Sequence, residues 1–182
     1  MSIILFYQSK QQELETILWT IKNHKQLEKF SSDTIYPKLP KKIWNKIVQD
    51  NVKFSNSRKI VQGYLKKTNQ LNQQENLKKV FIPLWKKIEK EFFKKIKKIL
   101  KIKILPKYIC YLTQYGGGGS FNPPNTIWVR ANKKNKNDIK YFTYTITHEI
   151  IHLLLHQQLK NTSQDKIENQ IEKILIELNL FK

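Results

Sequence analysis

Residues 141–159 read YFTYTITHEIIHLLLHQQL, and the rest of the chain is interpreted outward from them. Apolar side chains fall on nearly every side of this stretch, the pattern of a helix buried all round. Inside it, His148-Glu149-Ile150-Ile151-His152 has the form H-E-x-x-H. Residues four apart on a helix share one face, one turn above the other. His148 and His152 can therefore turn two imidazole nitrogens toward one cation. Zinc accepts such nitrogens at about 2.0–2.1 Å and favours four ligands. Glu149 follows the first histidine by one position and lies beside such an ion. There a carboxylate can act as general base toward a water that the metal has acidified. Burying two histidines and a glutamate without a shared purpose is costly, which weighs against an ordinary core helix.

A catalytic zinc takes three protein ligands and keeps one position open. The extended metzincin pattern needs a glycine at 155 and a histidine at 158, where Leu155 and Gln158 stand. His156 is the last histidine. It sits one turn further along, rotated off the metal face, and suits packing or support. A carboxylate on the final helix remains, with Asp165, Glu168, Glu172 and Glu177 as candidates.

The 182 residues are enough for one domain with a core, or for a small catalytic domain with an appendage. Hydrophobic content of 40% predicts a globular fold. No run reaches the roughly eighteen apolar residues of a membrane span. The opening MSIILFYQ is apolar but short, without a basic flank or a small-residue cleavage site, and does not read as a signal peptide. Cys110 is the single cysteine, which excludes a disulfide framework and points to a reducing cytoplasm. Its apolar neighbours make it core and not a nucleophile.

The formal net charge is +20, and only Arg58 and Arg130 among the 34 basic residues are arginine. Such a field attracts polyanions. A genome rich in A and T inflates lysine, asparagine and isoleucine together and gives the same charge. Arginine, the usual reader of bases and phosphates, is nearly absent. A polyanion partner on the lysine-rich surface is thus a subsidiary expectation.

Spacing predicts a helix over 11–30, ended by Ser31-Ser32-Asp33 and Pro37, and a second over 41–52 behind Pro40. Residues 51–69 are ambiguous, with Gly63 a turn or break. Residues 71–104 form a basic amphipathic helical segment that Pro83 should start or kink. Residues 108–115 and 126–131 read as strands, paired as an antiparallel hairpin through a long connection that holds Gly116, Gly117, Gly118 and Gly119. A last amphipathic helix runs from about Asp165 to Leu180.

Taken with the glutamates of that last helix, the H-E-x-x-H helix resembles the gluzincin metallopeptidases. The order strand, glycine-rich stretch, strand, H-E-x-x-H helix and glutamate helix over residues 108–182 is most similar to the minigluzincins. ImmA/IrrE-type proteases are a second likeness. The resemblance implies that the third ligand is a glutamate on the second helix, with an acidic residue four positions later supporting a metal-binding histidine. Glu168, sixteen residues after His152, and Glu172 fit this pattern. One Zn2+ would then be held by His148, His152 and Glu168, with Glu172 behind it or as the alternative ligand. The resemblance also implies an extended peptide paired along an edge strand. That role falls on Thr126, Ile127, Trp128, Val129 and Arg130, with the four glycines as rim. Larger gluzincins place a downstream histidine or tyrosine to stabilise the oxyanion. Neither follows His156, which leaves Tyr115, Tyr141, Tyr144 or Arg130.

The expectation is an α+β protein: a helical N-terminal region, 1–105, of regulatory or structural purpose, then a catalytic domain, 106–182. In the latter a small antiparallel sheet packs on the H-E-x-x-H helix beside a C-terminal glutamate helix. Its expected activity is that of a zinc endopeptidase acting on an extended peptide or protein, with Glu149 as general base. Two alternatives stand beside it: a basic module that binds nucleic acid or an anionic surface around a structural zinc, and a regulatory protease that cuts one transcriptional regulator. Nothing in the sequence fixes an oligomeric state.

Overall fold

The computed structural model describes residues 2–30, 34–49, 54–67, 77–156 and 158–181. In chain order its elements are β1 (Ile3–Tyr7), α1 (Lys10–Lys22), α2 (His24–Phe30), α3 (Lys41–Gln49), α4 (Phe54–Lys67) and α5 (Leu77–Lys86). Then come α6 (Glu89–Leu100), β2 (Lys107–Thr113), β3 (Gly119–Asn122), β4 (Thr126–Arg130), α7 (Lys136–Leu155) and α8 (Gln164–Leu178). The protein is α+β, as its pattern predicted. Among the described residues, no helix is long and apolar enough to cross a membrane.

The sheet is mixed, in the order β1-β2-β4-β3. β1 pairs parallel to β2, and β2 parallel to β4. Only β3 runs antiparallel, against β4. The expected antiparallel hairpin between the strands at 108–115 and 126–131 is therefore corrected. Apolar alternation is the same in parallel and antiparallel strands, so it could not choose between them. The connection decides. The segment between β2 and β4 holds β3, which makes the hairpin with β4 and returns the chain parallel to β2.

The opening apolar stretch is β1, an edge strand that sequence reasoning left unassigned. Its outer side is closed by a buried carboxylate: Glu89 Oε1 accepts from Ile4 N–H at 2.8 Å and from Trp85 Nε1–H at 3.0 Å. An unpaired edge N–H is thereby satisfied. One sheet face carries Ile4, Tyr108, Cys110, Leu112, Ile127 and Val129, all buried. Phe142, Ile146 and Ile150 of α7 and Phe81, Trp85 and Phe92 of α5 and α6 complete that core. Each such side chain contributes about 1.5–3 kcal/mol on burial. The division expected at residue 105 runs through this core, because β1, α5 and α6 belong to it. A second core joins Leu14, Ile17, Leu18 and Ile21 of α1 to Ile47, Val61 and Leu65 of α3 and α4.

Three helical details differ from expectation. The helix over 11–30 breaks at Asn23, whose side-chain amide donates to Trp19 O at 2.8 Å. Gly63 breaks nothing; it lies exposed inside α4, where glycine costs about 1 kcal/mol against alanine. Pro83 does not start a helix; it lies inside α5, and the chain turns at 87–88. Pro83 and Lys79 are both exposed, so water can serve the carbonyl that loses its N–H partner. Ser31-Ser32-Asp33 and Leu71 lie outside the described residues.

Candidate metal centre

α7 begins at Asn135, whose side chain accepts from Asn137 N–H at 2.9 Å. Asp138 in its first turn is buried and receives Arg130 Nε–H at 3.0 Å, with the pair's second nitrogen at 2.9 Å. Asp138 also accepts from Asn132 N–H at 2.8 Å, and Arg130 donates to Gly116 O at 3.0 Å. This buried pair ties the end of β4, the start of α7 and the glycine loop into one unit. α8 follows after a short turn, with Ile171, Ile174, Leu175 and Leu178 buried. Glu168 is left half-exposed, toward α7.

Two helices thus bring His148, His152 and Glu168 together, and one donor atom from each lies within 4.8 Å of the others. The two Nε2 atoms are 3.1 Å apart. Glu168 presents Oε2 to His148 at 3.3 Å and Oε1 to His152 at 3.3 Å. Ligands at about 2.0–2.1 Å from a tetrahedral ion stand about 3.3 Å from each other. The separations fit that figure, and two imidazole nitrogens with one carboxylate are a donor set that zinc takes. Gln164 donates to Glu168 from one turn earlier.

Electrostatics favour the neutral imidazoles that a metal needs. Burial lowers the pKa of His148, although Glu168 and Glu172 pull it back upward. His152 is lowered to about 4, by burial and then by His148. Glu149, buried one position from the first ligand, is raised to about 8 by burial and then by the charge of Glu168. A neighbouring cation is the opposite charge that brings such a carboxyl back down.

The remaining site residues fall as follows. Asp165 and Glu177 are not part of the cluster. Glu172 lies next to the site, but it accepts from the Tyr144 hydroxyl at 2.5 Å and not from a histidine. His148 Nδ1 is buried and has no hydrogen-bond partner among the described residues. The Tyr144 ring lies 6.1 Å from that of His148, and its hydroxyl pKa is raised by burial and by Glu172. Tyr141 is exposed, under Lys140. Arg130 is committed to Asp138.

The substrate edge expected on Thr126, Ile127, Trp128, Val129 and Arg130 is also corrected. β4 is paired on both sides, to β2 and to β3, and has no free edge to offer. The edge strand at this end is β3. Phe121 of β3 stacks on His152, with centroids 4.7 Å apart and planes at 10°. Phe121 also meets His156, its ring centroid 5.9 Å away. Gly119 lies so close to α7 that a Cβ there would stand 2.8 Å from Thr145 Cγ2 and 2.9 Å from Glu149 Cδ, and closer still to Glu149 Oε1. β3 escaped sequence reasoning because GSFN has no alternating apolar pattern. The run of glycines was the available signal of a close backbone approach.

The chain matches no protein-family model, and no curated protein or solved structure is detectably similar to it.

Proposed function

We propose that the protein is a zinc metallopeptidase similar to the gluzincins, with His148, His152 and Glu168 as ligands and Glu149 as general base. One observation carries this: two imidazole nitrogens from α7 and a carboxylate from α8 converge at 3.1–3.3 Å, with a buried glutamate next to the first of them. Zinc, when bound, would polarise the scissile carbonyl and acidify water. Glu149 takes the proton of the attacking water on a carboxylate oxygen and returns it to the departing amine. Phe121 holds the His152 ring by stacking, and the missing side chain at Gly119 leaves Glu149 its place against β3. An extended peptide pairs with the free edge of β3 and so lies alongside Glu149 and His152. Tyr144, whose ring lies against His148, would serve the developing oxyanion only by turning its single O–H proton away from Glu172. The single cysteine fits a reducing, cytoplasmic setting.

The test is metal content by elemental analysis, with peptidase activity measured in parallel, for wild type, His148→Ala, Glu168→Ala and Glu149→Gln. One zinc per chain is expected in wild type and Glu149→Gln, and none in the other two, with activity only in wild type. A wild type that holds no zinc after reconstitution removes the proposal. Zinc retained in Glu168→Ala moves the third ligand to Glu172.

A further inference from the structure

The two faces of β3 lead to different places. Gly119 and Phe121 point to α7, the first against Glu149 and the second onto His152. Ser120 lies between them and points the other way, directly opposite Trp128 in the register. Ser120 and Trp128 both line a cleft of about 440 Å3 between the strand and helices α1 and α2. Its helical side is lined by Gln12, Glu15, Thr16, Trp19 and Thr20 of α1 and Leu27 of α2. Glu15, also in the lining, is paired with Arg58, so its charge is offset. The size lies within the roughly 300–1,000 Å3 of ligand pockets. Gly119 and Phe121 border this cleft too, so β3 lies between it and the metal centre. Ile35, beyond the end of α2, bridges to the glycine loop: its N–H donates to Gly116 O at 3.0 Å and its carbonyl accepts from Gly116 N–H at 2.8 Å.

Among the described residues no strand pairs with the outer edge of β3. A peptide added there continues the pleat, so its side chains alternate between the two faces. Those aligned with Gly119 and Phe121 go to the α7 face and the histidines. Those aligned with Ser120 go toward the cleft. We propose that this cleft is a selectivity pocket for a large apolar residue, aromatic or leucine, one position removed from those that face the metal centre. This rests on the peptidase function proposed above. It gives the first two helices a task, substrate selection.

The test combines binding and turnover on the full chain. A peptide carrying one p-benzoylphenylalanine is photocrosslinked to the metal-free protein, and the adduct is mapped by mass spectrometry. Analogues with phenylalanine or alanine at that position serve as competitors, and then as substrates of the zinc-loaded chain. Expected are adducts at Trp19, Leu27 or Trp128, displaced about tenfold better by the phenylalanine peptide, with cleavage favouring phenylalanine to a similar degree. Trp19→Ala, an exposed side chain outside both cores, should reduce the phenylalanine-to-alanine ratio severalfold. Adducts in the cleft without any cleavage keep the pocket and remove the peptidase reading. Cleavage with no phenylalanine preference and no adduct in the cleft overturns the pocket and leaves the peptidase standing. Neither adduct nor cleavage overturns both.

Discussion

Gly119→Ala is the substitution whose effect follows most directly from the geometry. The added Cβ would stand 2.8 Å from Thr145 Cγ2 and 2.9 Å from Glu149 Cδ, where ordinary contacts are 3.4–4 Å. Relief needs a shift of roughly half to one ångström, either of the Glu149 side chain or of β3. Overpacking of this kind costs about 1–3 kcal/mol, or roughly 2–12 °C of melting temperature for a domain of this size. A misplacement of about 1 Å in a catalytic group costs about 100-fold in rate. Whichever partner yields, kcat/KM should fall about 100-fold. Zinc should stay at one per chain, because the atoms nearest the new methyl group belong to Thr145 and Glu149 and not to His148, His152 or Glu168. Gly117→Ala and Gly118→Ala are the controls, since a Cβ at either position has nothing within 4 Å. The assay is peptide hydrolysis, with zinc content and thermal unfolding measured on the same preparations. Wild-type kcat/KM in Gly119→Ala, with zinc retained, would refute the placement of Glu149 as the base held against β3.

Three further outcomes are expected. Arg130 and Asp138 form a buried pair, at 2% and 3% side-chain exposure. Arg130→Ala or Asp138→Ala should cost about 3–5 kcal/mol in urea unfolding, and Arg130→Met with Asp138→Leu less than the sum of the two. Zinc at a hundred times its dissociation constant should stabilise the wild type by about 2.7 kcal/mol; the shift should vanish in His148→Ala and on chelation. Burial, and then Glu149, push the Cys110 thiol well above its usual value near 9. Iodoacetamide at pH 8 should therefore leave the folded protein unmodified and label one thiol in urea. The unfolded chain releases that proton near pH 9 while the folded chain keeps it, so this thiol's contribution to stability falls as pH rises past 9.

The cluster of His148, His152 and Glu168 was reached by two routes. Helical spacing paired the two histidines, while spacing left Asp165, Glu168, Glu172 and Glu177 all open and only the resemblance to the gluzincins singled out Glu168; the structure brings these three within 4.8 Å of one another. The α+β class and the buried α7 followed from apolar periodicity. What was missed depends on contacts distant in sequence. Nothing in Ile3 to Tyr7 says that their partner begins at Lys107. The pleat of β2 and β4 looks alike whichever way they pair, and direction was set by a short strand with no apolar alternation of its own. The edge assignment failed with it, because an edge is a property of neighbours. Glu172 went to Tyr144, a residue on α7 that helix spacing puts near His148 but does not link to α8. Gly63 was taken as a turn or break and Pro83 as a helix start or kink because their local cost is real; α4 and α5 hold them on exposed sides.

The parallel pairing of β1 with β2 also has a bearing on how the chain matures on the ribosome. Ile3 must wait for Lys107, about a hundred residues later, or roughly 5–20 s at ordinary elongation rates. During that interval IILFY is an apolar segment without its sheet, the kind that chaperones hold and that other strands capture. Once in place it covers the flank of β2, which a chain nicked after Tyr7 could leave open to a strand from another molecule. Proteolytic loss of these few residues should thus be felt first as self-association, before any change in the His148, His152 and Glu168 cluster beside the opposite edge of the sheet.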